Sequence, residues 1–346
     1  MTDDTARPRL GFFTRVLDDA GPAERYANAL EQIETAERLG FDTAWVAQHH
    51  FHADEGGLPS PFVLLGHAAA RTSRIGLGTA IITLPLEAPI RVAEDAAVLD
   101  LLAGGRFELG VGSGGTPSSF PPFGHDPDER PAIYRRHLDT LVTALRGATL
   151  TSDGGALYPE APHLAETLWE ATFSAAGAER IGAARHGLML SRTQPRGDLG
   201  TSLAGVQRAI VDAYRAALPD GARPRVLASR TLFVADDAAT ARRYAERGVE
   251  RAIPVARAYG IDVPDAPIDE LLELLDIHIG TPDVVIERLR RDDVLLAATD
   301  IVFQVHPVDP PHELLLRSLE HIAERVAPAL GWRPAHSETR PTQGGS

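Results

Sequence analysis

Residues 10–47 read LGFFTRVLDDAGPAERYANALEQIETAERLGFDTAWVA, and this stretch sets the architecture expected of the whole chain. Leu10–Phe13 is a short apolar run of strand length. Pro22 then opens a helical pattern running to Leu39, with Tyr26, Ala29, Leu30 and Ile33 on one side and Gly40 just past its end. Thr43–Ala47 returns as a second strand. A strand, an amphipathic helix and a second strand form the repeating unit of a parallel sheet covered by helices.

Working outward, the unit recurs. A helix over Pro61–Arg71 leads to a third strand at Ile75–Ile82, and a helix over Ile90–Leu102 stops at Gly104–Gly105. The fourth strand, Phe107–Val111, carries Phe107, Leu109 and Val111 at period two. Further strands are predicted at 167–173, 187–191, 225–234 and 299–305, and helices at 128–146, 177–186, 203–217, 236–248, 282–293 and 311–329. Eight strands, each followed by a helix, predict an α/β fold of the (β/α)₈ TIM-barrel type, over one domain spanning 9–330. An open doubly wound sheet fits that count less well. Gly114–Asp126 and Val249–Gly280 exceed the minimal barrel and are expected as insertions on its C-terminal face, where such folds carry lids. The tail at 335–346, within HSETRPTQGGS, has nothing to bury and is expected to be disordered.

Composition narrows the function. Against 34 Lys+Arg stand 48 Asp+Glu, a net charge of −14, which disfavours nucleic acid and anionic membranes as partners. With no cysteine in the 346 residues, disulfides, thiolate metal sites and a Cys nucleophile are excluded. The polar, acidic N-terminus and the lack of a long apolar run make a cytoplasmic protein the expectation.

The densest polar cluster, Gln48-His49-His50-Phe51-His52, follows the second strand, where a barrel opens into its active-site mouth. Histidine titrates near neutrality, so His49 and His50 are the candidate catalytic residues, although a lone His there would more often cap a loop. A metal centre is disfavoured: adjacent strand residues point to opposite faces, and no second cluster completes a ligand set. Gly110-Val111-Gly112-Ser113-Gly114-Gly115 lets a flat ligand approach the backbone, but it lacks the immediate helix of a dinucleotide fingerprint. Thr172-Phe173-Ser174-Ala175-Ala176-Gly177 precedes a helix whose first N–H groups suit a phosphate, while Ser174 taken alone reads more readily as an ordinary N-cap. Ser191-Arg192 and Ser229-Arg230 lie at plausible strand ends; either Arg would suit an acidic ligand group.

Taken together, four ordered segments resemble the bacterial luciferase-like flavin monooxygenases: GFDTAWVAQHHF (40–51), GTAIITLP (78–85), PIRVAE (89–94) and GGRFELGVG (104–112). The resemblance is strong over about 10–146 and looser to 330, where Ile279-Gly280-Thr281-Pro282 resembles a further landmark. It implies a barrel, usually a homodimer, that uses FMN or deazaflavin F420. It further implies reduced FMN from a separate flavin reductase, reacting with O₂ through a flavin C4a-hydroperoxide to oxidise a small organic substrate. His49 matches the catalytic His beside the flavin and His50 its neighbour. Ala80–Ile81 matches a non-proline cis peptide beneath the ring, Ser174 and Gly177 the phosphate turn, and Ser191 and Ser229 positions near the flavin. Gly112, Ser113 and Gly114 are expected to frame the ring, although Gly112 and Ser113 stand where the luciferases carry a reactive Cys and a flavin-holding Arg. Ser119 replaces an acidic partner of the second His, and Arg192 a pocket Trp, so the substrate pocket is rebuilt and light emission is not expected. The alternatives are an F420-dependent hydride-transferring oxidoreductase on the same fold and a non-catalytic flavin-binding protein.

Overall fold

A computed structural model describes residues 7–196 and 202–332; the predicted tail at 335–346 lies outside them. The first strands are β1 (Arg9–Thr14) and β2 (Thr43–Val46). Two interrupted strands follow: β3 (Gly76–Thr79, resuming at Ile82–Thr83) and β4 (Phe107–Glu108, resuming at Gly110–Gly112). Next come β5 (Trp169–Ala171), β6 (Gly187–Leu190), β7 (Val226–Val234), β8 (Ile277–Gly280) and β9 (Asp300–Gln304). Every pairing is parallel. The ladder runs from β1 through β2, β3, β4, β5, β6 and β7 to β9, which pairs back onto β1. The fold is the expected TIM-type barrel.

The sequence pattern predicts one continuous third strand at 75–82. Instead the ladder breaks at Ala80–Ile81, where the peptide is cis, and each half of β3 pairs with its own half of β4. A ninth strand is likewise absent from the predicted pattern. β7 is nine residues long: its first half pairs with β9, and Thr231–Val234 pairs with β8, a spur off the barrel. β8 closes the second insertion, whose helix, predicted to end at 248, continues from Ala238 to Ala258 and is followed by a helix at Ile268–Leu274. Tyr244, Val249, Ile277, Ile279 and Val308 bury one another there, so the insertion is a packed element with its own apolar core.

Inside the barrel, two tryptophans set the packing. Trp45 on β2 faces Gly78 on β3, and Trp169 on β5 faces Gly187 on β6. A Cβ at either glycine would fall 2.2 Å from the facing indole, closer than atoms can approach, so glycine is what makes room for each ring. The indoles meet edge to face, centroids 6.1 Å apart at 90°, and Phe13, Met189, Leu227 and Val302 complete the layer. Below it, Arg9 bonds Glu108 (2.6 and 2.9 Å) and Asp300 (2.6 Å), joining β1, β4 and β9, while the Trp169 indole N–H donates to Glu108 (2.9 Å). Burial alone would raise the Glu108 carboxyl, but Arg9 and that indole hold it below its usual range. Ions at the N-terminal end of the strands and indoles above leave the opposite end as the place for chemistry. Among the described residues no helix is long and apolar enough to cross a membrane.

Candidate active site at the mouth of the barrel

β1 and β2 run side by side with Thr14 opposite Val46, so the residues just beyond them, Arg15 and His49, leave the sheet together. Arg15 donates to His49 Nε2 at 2.8 Å and to the Glu55 carbonyl at 2.9 Å. A guanidinium can only donate, so Nε2 accepts and the proton of the neutral ring sits on Nδ1. Burial first, then the charges of Arg15, His306 and His50, depress the His49 pKa to about 2. His49 is therefore a neutral imidazole at working pH. Its Nδ1 is buried with no partner among the described residues, and the ring packs over Gly56, where a Cβ would lie 2.3 Å from that nitrogen. Arg15 is not among the residues singled out by sequence; its position one residue past a strand, on the same side as the histidine cluster, is the signal that could have found it.

His50 goes elsewhere. Its ring packs against Phe123 (4.9 Å, 71°) and Phe51 (5.9 Å), joining the loop after β2 to the first insertion, and burial lowers its pKa. Ser119 is buried without bonding it, whereas the neighbouring Ser118 meets His52 Nε2 at 3.0 Å. Phe51, 66% exposed, and Phe123 form an aromatic rim. Gln48 braces the mouth from below, accepting from the Thr83 amide (2.7 Å) and donating to Glu87 (2.6 Å) and the Pro59 carbonyl.

Above the tryptophan layer, Ala80, Ile81 and Ala171 are half-buried and pack on it as a small apolar floor. Gly112 belongs to the same floor: a Cβ there would touch the Ile81 side chain at 3.0 Å and Ala171 at 3.5 Å. Ser113 and Gly114 follow half-buried, and Gly114 has φ of +79°, conformational space open chiefly to glycine. Beyond Ala171, Ser174 caps the helix Ala175–Ala183 by accepting from the Gly177 amide at 3.1 Å. Its oxygen is thus committed as an N-cap. The Ala175 and Ala176 N–H groups, which have no intrahelical acceptor, remain open at the helix start, and the Ser174 O–H can still donate; the Thr172 hydroxyl accepts from the Ser174 amide at 3.2 Å and can likewise still donate. That hydroxyl crowds the bare side of Gly177, where a Cβ would lie 2.1 Å away.

Across the mouth, Ser229 points inward and receives a hydrogen bond from Gln304 Nε2 at 3.1 Å, leaving Gln304 Oε1 unpaired. Ser191 is half-buried, and its carbonyl accepts from Gln207 (2.6 Å). The two arginines suited to an acidic ligand separate. Arg230 alternates outward on β7 and is held by Asp292 (2.5 and 3.1 Å), so it does not face the mouth. Arg192, just after β6, is buried near Arg15, Asp309 and Tyr259. Tyr259 ends the long insertion helix and stacks edge to face on Phe173 beside β5 (6.3 Å, 71°), so the insertion reaches over the mouth. Among the described residues no group of three His, Asp or Glu is arranged to hold a metal ion.

The family model described as luciferase-like monooxygenase matches residues 10–294. The chain belongs to the luciferase-like monooxygenase family. It is an oxidoreductase of the monooxygenase class. The uncharacterized protein y4vJ of Sinorhizobium fredii is 30% identical to this family member over 328 residues, covering 88% of this chain and 91% of the relative. Two solved structures share the fold at lower identity. The oxygenating constituent of 3,6-diketocamphane monooxygenase from Pseudomonas putida, in complex with FMN, superposes with a TM-score of 0.73 at 19% identity, covering 93% of this monooxygenase and 99% of that chain. The F420-dependent tetrahydromethanopterin reductase of Methanopyrus kandleri gives 0.67 at 18% identity, covering 94% and 100%.

Proposed function

We propose that this monooxygenase is the oxygenating component of a two-component system, taking reduced FMN from a separate flavin reductase and oxidising a small organic substrate with O₂. The observation that carries the reading is the half-buried apolar floor of Ala80, Ile81, Gly112 and Ala171 lying directly before a helix start with free N–H groups. A flat ring needs the first and a terminal phosphate the second. Bound there, reduced FMN would supply the electrons that activate O₂. The Ala175 and Ala176 N–H groups, with the Thr172 and Ser174 hydroxyls, would bind its phosphate; Gly112, Ser113 and Gly114 would line the ring, and Ser191 and Ser229 its far edge.

His49 takes part as a hydrogen-bond donor rather than as a base. With Nε2 occupied by Arg15, the Nδ1–H is the group it can offer to a developing negative charge, and the ring stays neutral. Tyr259 and Phe173 on one side and Phe51 and Phe123 on the other would shield the mouth from water once a substrate is bound. The residues fit FMN; F420 has the same fold behind it, and titration decides between them. Equilibrium dialysis with reduced FMN and with F420 should show tight uptake of FMN only; uptake of F420 alone would overturn the proposal. Ser174→Ala should weaken FMN about tenfold while leaving riboflavin little changed.

A single domain over 9–330 and a cytoplasmic homodimer complete the proposal. Size-exclusion chromatography with light scattering tests the dimer, and limited proteolysis that leaves one core tests the domain.

A further inference from the structure

Arg192 stands out among the charges of the mouth. Its side chain is buried (8% exposed) and has no hydrogen-bond or ion-pair partner among the described residues. The titratable groups nearest it come from other elements: Arg15 after β1, Asp309 after β9, and the phenol of Tyr259 on the insertion. Asp309 is the one carboxylate of the group, and it is already engaged, accepting from His306 Nδ1 (2.8 Å) and from Arg251 (2.9 Å). Arg15 spends its donors on neutral acceptors, the His49 ring and the Glu55 carbonyl, while the Glu55 carboxylate is bonded by Thr116 (2.5 Å). A buried and a half-buried cation therefore share the mouth in a chain whose net charge is −14, and the two carboxylates near them, Asp309 and Glu55, are bonded by other partners.

A guanidinium drawn into the protein without a partner carries a desolvation cost that no ion pair offsets. Burial first, and then the charge of Arg15, lowers the Arg192 pKa to about 9. An anion offsets that cost, and a guanidinium fork fits the two oxygens of a carboxylate better than any other side chain does. The aromatic pair Tyr259 and Phe173 beside it offers apolar surface for the rest of such a molecule.

We infer that the mouth is built for a substrate bearing a carboxylate, which Arg192 binds through its fork while Arg15 adds a second positive charge. This rests on the reading of the mouth as the oxygenation site, because only there does a bound organic acid become a substrate. The same chemistry could serve the cofactor's phosphate, and the test separates the two sources.

Titration calorimetry on the full chain without flavin would use benzoate and hexanoate, each against its neutral amide, with wild type, Arg192→Met and Arg192→Lys. At least one acid should bind wild type tenfold or more tightly than its amide. That preference should vanish in Arg192→Met and survive partly in Arg192→Lys. The ratio of FMN to riboflavin affinity should be the same in wild type and Arg192→Met. No acid preference in wild type, or one unchanged by Arg192→Met, overturns the inference without touching the flavin proposal. A fall in the FMN to riboflavin ratio in Arg192→Met also overturns it, by assigning Arg192 to the phosphate. Wild-type acid and amide binding decides the matter even if a variant does not fold.

Discussion

His49 is held neutral by burial and by the neighbouring charge of Arg15, and this has a consequence for pH. A histidine whose folded pKa lies below its unfolded value binds fewer protons folded than unfolded in the interval between the two. Its contribution to stability is complete above about 6.5 and is lost as pH falls toward the folded value. His49 (about 2), His278 (about 4) and His306 (about 4) are all depressed, chiefly by burial. Between pH 6.5 and 5 each should cost up to about 2 kcal/mol. Urea midpoints at pH 7 and pH 5 should therefore fall apart in wild type and draw closer in His49→Asn. The glycines opposite the indoles give a second test at this scale. Gly78→Ala drives a methyl into Trp45 and should cost about 1–3 kcal/mol. Gly66→Ala, in the helix Pro61–Arg71 with nothing within 4 Å, should gain up to about 1 kcal/mol. Thermal unfolding of the two variants checks the contrast.

At the scale of elements, the sequence makes some parts plain and hides others for physical reasons. The helices with one clear apolar stripe are readable: Leu203–Ala217 falls where its periodicity put it. The histidine cluster is readable because polar side chains crowded directly behind an apolar strand mark where the chain leaves the sheet. Arg15 is hidden because its meaning depends on the register of β1 against β2, a tertiary fact. Arg192 and Arg230 look equivalent in sequence because β7 is buried along its whole length, and such a strand shows no alternation by which to tell inward from outward positions. The structure separates them: Leu227 and Ser229 face in, Arg230 out to Asp292. β8 is hidden by its length, since Ile277–Gly280 becomes a strand only through the free half of β7.

At the scale of the molecule, closure of the barrel is secured at one end by ions and filled above them by rings. Arg9 binds carboxylates from β4 and β9 at once, so Arg9→Met would leave Glu108 and Asp300 buried and close together, with only the Trp169 and Thr299 hydrogen bonds and the charge of Arg225 to offset them. A loss of about 3 kcal/mol is expected, tempered by the partial exposure of Arg9 itself, and chemical denaturation would measure it. The (β/α)₈ class is legible from strand and helix alternation. The family is legible from four short segments, and the substrate is not, because it depends on which side chains the insertions bring over the mouth.

The chain has 3 tryptophans, and their placement makes the protein its own optical probe. Trp45 and Trp169 lie directly under the floor on which a flavin would rest, whereas Trp332 packs on Phe303, outside that layer. Indole emission overlaps the absorption of oxidised flavin, so occupancy of the floor should extinguish the emission of the two inner rings and spare much of the third. A titration with oxidised FMN should therefore end on a residual plateau that Trp332→Phe removes. A plateau insensitive to that change would place the flavin away from the indoles.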